Sequence, residues 1–151
     1  MNEALKCEEF RDTGAHKMFY KKYFEEFISI PGLDIGYKGG NNARGPASPV
    51  FGFTGIDLDS PGYDGINLPF DTGTFSAVHS SHVLEHITDW QKAIKEWFRV
   101  LRVHGFLIIK VPHHYLYEKK ATIPSHFNKK HQRFYTPGDL LSEIEMSLEP
   151  N

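Results

Sequence analysis

Four of the nine histidines in this 151-residue chain, His82, His86, His113 and His114, follow two apolar runs that read as neighbouring strands. An imidazole has the ordinary pKa that suits a proton acceptor near neutrality, so each is a candidate base for a hydroxyl nucleophile. The structural alternative places His86 in a helix entry and His113 and His114 on an exposed loop. Two carboxylates occupy comparable positions. Asp34 lies in a short apolar run that enters the turn Gly36-Tyr37-Lys38-Gly39-Gly40, and Asp57 closes the next run, 23 positions later. A carboxylate at that second strand end accepts both hydroxyl protons of an adenosine ribose, while a glycine-dense turn lets the backbone approach the rest of such a ligand. Otherwise the two acids merely cap turns. His82 and His86 are four apart, which suggests a metal pair on a helical face, but they fall at a strand–helix junction and no metal is expected. A dinucleotide fingerprint would need glycines at Lys38 and Asn41.

The elements that must position these groups alternate between strand and helix. Residues 1–15 read as a loose lead-in. Tyr20, Tyr23, Phe24, Phe27 and Ile28 mark one face of a helix over 16–29, read as core packing with a substrate lid as the alternative, and Pro31 ends it. Leu33 to Gly36 is the first strand. Gly45, Pro46 and Pro49 leave the following helix short or missing, and Val50 to Leu58 is the second strand. The segment Asp64 to Phe70 is at most a stub of a third. Phe75 to Ser81 is a buried strand, and Thr88 with Gln91 predicts a capping box for a helix carrying Trp90, Ala93, Ile94, Trp97, Phe98 and Leu101, stopped by Gly105. Phe106 to Val111 reads as a strand covered on both faces. A loop then spans 113–135, and Thr136-Pro137-Gly138-Asp139 opens a last helix through Ser147.

Composition narrows the partners. Length predicts one domain over 1–151, able to bury about two-thirds of its unfolded surface. With 24% charged residues and a net charge of −2 there is no basic excess to favour nucleic acid. Cys7 is the single cysteine, which excludes an internal disulfide, and nothing resembles a signal peptide or a bilayer-spanning run, so a reducing, cytoplasmic setting without membrane contact is expected.

Four stretches carry a family resemblance: Leu33-Asp34-Ile35-Gly36-Tyr37-Lys38-Gly39-Gly40, Gly55-Ile56-Asp57-Leu58, Leu68-Pro69-Phe70-Asp71-Thr72-Gly73-Thr74-Phe75, and Ser80-Ser81-His82-Val83-Leu84-Glu85-His86. In this order they resemble the class I S-adenosylmethionine-dependent methyltransferases, and within them the small type 11 domains, from about residue 32 to residue 141. The resemblance implies an α/β fold with a doubly wound, mostly parallel Rossmann-like sheet of about five strands in the order 3-2-1-4-5. It implies S-adenosylmethionine as cofactor. Asp34, Gly36, Tyr37 and Gly40 would then border its methionine portion, Asp57 and Leu58 the ribose, and Asn67 and Leu68 the adenine, with Asp64 toward the adenine amino group. Ser80, Ser81 and His82 would form the floor under the sulfonium. The loop after Pro112, with Tyr115, Tyr117, His126, Phe127 and His131, is similar to inserts in glycan and capsule methyltransferases, so a sugar hydroxyl or glycan precursor is the preferred small polar acceptor.

Departures from the pattern are Lys38, where the family has its middle glycine, and the missing strands six and seven. Lysine adopts a left-handed conformation only at a cost. A strand over 106–111 without later neighbours has an open apolar edge, so either the chain is a fragment, or self-association or a partner chain covers that edge. A non-catalytic binding or regulatory subunit is the alternative reading.

Overall fold

The computed structural model describes residues 31–37 and 53–149. The expected helix over 16–29, together with Lys38 and Gly40, lies outside the described residues. Four strands, β1 (Gly32–Ile35), β2 (Phe53–Ile56), β3 (Phe75–Ser81) and β4 (Leu101–Lys110), form one sheet in the order β2-β1-β3-β4. Every pairing is parallel, with Leu33 opposite Thr54 on one side and Val78 on the other. This is the expected doubly wound order with its third strand left out. Residues 64–70 form turns instead, because the Asp64 carboxylate draws in the Ile66 and Asn67 N–H groups and the Leu68 N–H goes to Glu96.

Burial follows the sheet. Leu33, Ile35, Ala77 and Val78 on the two inner strands are almost wholly buried, as apolar runs in a parallel sheet require. Helix α1 (Trp90–Val100) turns Ala93, Ile94, Trp97 and Val100 inward, an i, i+1, i+4, i+7 stripe. Its opposite flank holds the 68–72 loop, with Arg99 donating to the Leu68 and Phe70 carbonyls and pairing with Glu96. Helix α2 (Pro137–Leu148) packs on α1 and starts at the expected Thr136-Pro137-Gly138-Asp139, where Thr136 and Asp139 form a capping box. No helix among the described residues is long and apolar enough to cross a membrane.

Two expectations fail locally. The Thr88–Gln91 box is not formed: Thr88 Oγ1 donates to Gln132 Oε1, and α1 starts after Asp89 with no side-chain cap. Gly105 does not stop α1 either. The helix ends at Val100, the chain enters β4 at once, and residues 102–105 bulge out between the Phe75–Leu101 and Ala77–Phe106 pairs, with His104 at φ 64°. Regular pairing then covers Phe106 to Lys110, as the apolar run predicts.

Candidate active site

A cavity of about 890 Å³ opens at the C-terminal ends of β1, β2 and β3, where open α/β sheets place their ligands. One wall comes from Gly36 after β1, Asp57 and Leu58 after β2, and the 63–66 turn; the other comes from residues 82–89 and from 128–132. Gly36 sits where they meet. Its φ is 83°, and a Cβ there would lie 2.2 Å from Val83 Cγ2, so only glycine lets the β1 turn pass so close to the β3 end.

The first wall is acidic. Ser60 Oγ accepts from the Asp57 N–H, and Asp57 Oδ1 accepts from the Leu58 N–H at 2.7 Å, which fixes the carboxylate at the cavity edge. Asp64 accepts from two backbone N–H groups and from Asn67 Nδ2, and the Asn67 bond first of all holds its carboxyl below the usual range. Tyr63 donates to the Gly65 carbonyl, and burial foremost, then the Asp57 and Asp64 charges, push its phenol up to about 12. Leu58 is 70% exposed and offers an apolar face beside the carboxylates.

The second wall carries the histidines. His82 leaves β3 in the left-handed region at φ 55°, uncommon for a non-glycine residue, and its ring, 40% exposed, lies with Nδ1 3.4 Å from Glu85 Oε1. A single 3-10 turn, Leu84–His86, follows and buries Glu85 while His86 faces the cavity. That turn is held from a distance: Gln132 donates its N–H to the Glu85 carbonyl and its amide to that of His86, and Arg133 donates to the Leu84 and Ile87 carbonyls.

Of the residues expected from sequence, Gly36, Asp57, Leu58, Asp64, His82 and His86 come together around the cavity. The others lie elsewhere among the described residues. The Asp34 carboxylate meets His79 Nδ1 at 2.7 Å inside the sheet. Tyr37 lies over Gly55, where an added Cβ would come within 2.3 Å of its ring. Leu68 is buried, with its backbone tied to Glu96 and Arg99, and Asn67 turns its amide to Asp64. The Ser80 and Ser81 hydroxyls are buried at the end of β3, without a hydrogen-bond partner among the described residues. His113 Nδ1 accepts from the Tyr115 and Leu116 N–H groups and so caps the π turn His114–Glu118, and the His114 ring stacks on Tyr115 at 4.3 Å. Neither lines the cavity, and residue 113 bridges to Tyr135. Sequence reasoning missed Glu85 and His131, both buried behind His86.

The Methyltransf_11 family model, a methyltransferase domain, matches residues 33–109, just over half of the chain. The chain belongs to this methyltransferase family. S-adenosylmethionine is accordingly its cofactor, and the residues present fit it: the Asp57 carboxylate at the β2 end for hydroxyl donors, an apolar face at Leu58, and a turn at Gly36 that a Cβ would block. No curated protein matches this methyltransferase domain. Among solved structures it is similar to a Thermotoga maritima SAM-dependent methyltransferase described as a possible histamine N-methyltransferase (15% identity, 88% of this chain and 75% of that one, TM-score 0.53). It is similar as well to a putative methyltransferase of Bacillus halodurans (21%, 77% and 57%, TM-score 0.53). A third is a Haemonchus contortus phosphoethanolamine N-methyltransferase in complex with phosphomonomethylethanolamine and S-adenosylhomocysteine (17%, 96% and 43%, TM-score 0.55). The methyltransferase domain thus spans between 43% and 75% of these three chains, and the likeness is one of fold.

Proposed function

We propose that the cavity seats S-adenosylmethionine against Gly36, Asp57 and the 63–66 turn, and that a methyl group passes to a small polar acceptor, a sugar hydroxyl preferred, on the His82 side. The observation that carries this reading is His82 itself, turned by its left-handed backbone to the cavity edge opposite Asp57. The bound cofactor supplies an already activated methyl, so the protein has mainly to align the acceptor and remove a proton.

The residues divide that work. Asp57 accepts from the ribose hydroxyls, Leu58 and Ile66 cover the base, and Asp64 meets its amino group. His82 takes the acceptor's proton, and its Nδ1 lies 3.4 Å from Glu85 Oε1 on the side away from the acceptor. A row of rings supports the sugar preference: Tyr117 lies 5.8 Å from His82 and Phe127 5.3 Å from Tyr117, both exposed. Aromatic faces suit the apolar faces of a sugar, and Asn128, Lys129 and Lys130 supply donors for its hydroxyl rim. His86 stands beside His82 as a second cavity histidine, whereas His113 and His114 serve the π turn.

Self-association or a partner chain along β4 belongs to the same reading, since β4 pairs only with β3 among the described residues. Solution scattering at high concentration giving a monodisperse monomer would count against it. The acceptor reading is tested by incubating the chain with methyl-labelled S-adenosylmethionine and a panel of sugars and amines. Label on a sugar oxygen, lost in His82→Ala with cofactor binding retained, is the expected result. Transfer only to amines removes the sugar preference, and cofactor binding without any transfer overturns the catalytic reading.

A further inference from the structure

We propose that Glu85, His86 and His131 form a binding site for one divalent transition-metal ion of the zinc class. One ligand atom from each residue lies within 4.8 Å of the other two. Glu85 is wholly buried, and neither carboxylate oxygen has a hydrogen-bond partner among the described residues. A buried carboxylate in that condition is costly unless a cation is supplied.

The surrounding hydrogen bonds supply no donor. His131 Nδ1 lies 2.5 Å from Glu118 Oε1, and His86 Nδ1 lies 3.3 Å from the Lys130 carbonyl oxygen. Both partners only accept, so each Nδ1 donates and each ring's Nε2 is left to face the cluster. Those two Nε2 atoms approach the same atom, Glu85 Oε1, at 3.8 Å from His131 and 3.9 Å from His86. Two imidazole nitrogens and a carboxylate oxygen therefore converge at separations too long for hydrogen bonds.

Metal coordination suits those separations. Nitrogen and oxygen ligands bind zinc at about 2.0–2.2 Å, which in a tetrahedron places neighbouring ligand atoms roughly 3.4 Å apart, so an ion would draw the two Nε2 atoms in from 3.8 and 3.9 Å of Glu85 Oε1. Imidazole and carboxylate together select a borderline divalent ion over calcium or magnesium. The supporting contacts are built as well. Glu118, wholly buried, orients His131 and is itself held by Ser125 Oγ at 2.5 Å, the carboxylate–histidine–metal arrangement that fixes a ligand's tautomer and strengthens it. His86 belongs both to the cluster and to the cavity wall, so the ion would border the cavity and tie the 118–132 loop to the end of β3. His82, whose Nδ1 approaches the same oxygen from the cavity side, remains outside the three-residue set. The site stands whether or not the acceptor is a sugar.

The test uses the full chain stripped with chelator and titrated with Zn²⁺ by calorimetry, and separately loaded with Co²⁺. One equivalent of tightly bound zinc is expected, together with the intense visible bands of four- or five-coordinate cobalt. His131→Ala and Glu85→Gln should abolish both signals. Glu118→Gln, which leaves all three ligands in place, should weaken zinc roughly 10- to 100-fold. Should the ligand variants fail to fold, the cobalt spectrum of the unaltered chain and the Glu118→Gln affinity still decide. An absence of zinc binding, an octahedral aquo-type cobalt spectrum, or unchanged affinity in a folded His131→Ala chain would overturn the proposal.

Discussion

The two walls of the cavity are built by opposite means. On the carboxylate wall, Asp57 and Asp64 are fixed by contacts that span three positions or fewer, through Ser60, Leu58, Ile66 and Asn67. On the histidine wall, Leu84, His86, Ile87 and Thr88 are held by Lys130, Gln132 and Arg133, across 44 to 49 positions. The first wall forms with its own turns. The second exists only once the 128–133 loop has docked on the end of β3, so its histidines depend on tertiary structure and the carboxylates do not.

The largest expected effect breaks the histidine wall alone. Arg133→Ala removes two bonds from a charged donor to the Leu84 and Ile87 carbonyls, and with them an ion pair to Glu143. Bonds of that kind are worth about 1.5–3 kcal/mol each, so urea unfolding should show a loss of about 3–5 kcal/mol. A loss under about 1 kcal/mol would mean that the long-range ties do not hold the wall.

Next comes the point where the walls touch. In Gly36→Ala the new methyl meets Val83 Cγ2 at 2.2 Å in a left-handed backbone, and strain plus overpacking should cost about 2–3 kcal/mol. Val83→Ala in the same background should recover part of that loss. No recovery would separate the two walls at this position.

Asp57→Ala sharpens the contrast in the other direction. Its contacts are local, so the unfolding midpoint should barely move, while S-adenosylmethionine affinity should fall by roughly 1.5–3 kcal/mol, about 10- to 150-fold by calorimetry. A large stability loss with unchanged affinity would make Asp57 a turn cap only.

Smallest is the effect of Tyr63 on the carboxylate wall. Its phenol is raised from 10.0 to about 12, chiefly by burial, so the folded chain favours the neutral form. That contribution is complete below the unfolded value near 10 and is lost as pH rises toward about 12. Tyr63→Phe removes the bond to the Gly65 carbonyl, should cost about 0.5–1 kcal/mol near neutral pH, and should flatten the alkaline fall in stability.

The same local-against-distant division explains what the sequence made legible. The buried runs of β1 and β3, the pairing of Phe106 to Lys110 in β4, the start of α2 at Thr136, and Asp57 at the end of β2 are all set by residues within a few positions of one another and are readable, whereas the expected cover on both faces of 106–111 is not met among the described residues, where Phe106 is 39% exposed. Thr88 failed as a cap because Gln132 takes its hydroxyl, a competitor no local pattern contains. His113 and His114 follow a strand next to β3, yet neither lines the cavity, and residue 113 bridges to Tyr135, a partner 22 positions away. His131 sits in a stretch that reads as polar loop, yet it is buried against Glu118. Glu85 was within view, inside His82-Val83-Leu84-Glu85-His86. On a continuous helix that order would set two histidines on a metal with the glutamate as base, whereas the 3-10 turn after β3 points the glutamate inward as a ligand candidate.

We propose that the carboxylate wall holds the cofactor and the histidine wall receives the acceptor. A crystal structure of the full chain with S-adenosylhomocysteine tests it most directly. The expected result places the ribose hydroxyls on the Asp57 carboxylate and the sulfur toward His82. A ribose bound away from Asp57, or a sulfur facing the opposite side from His82, would contradict it.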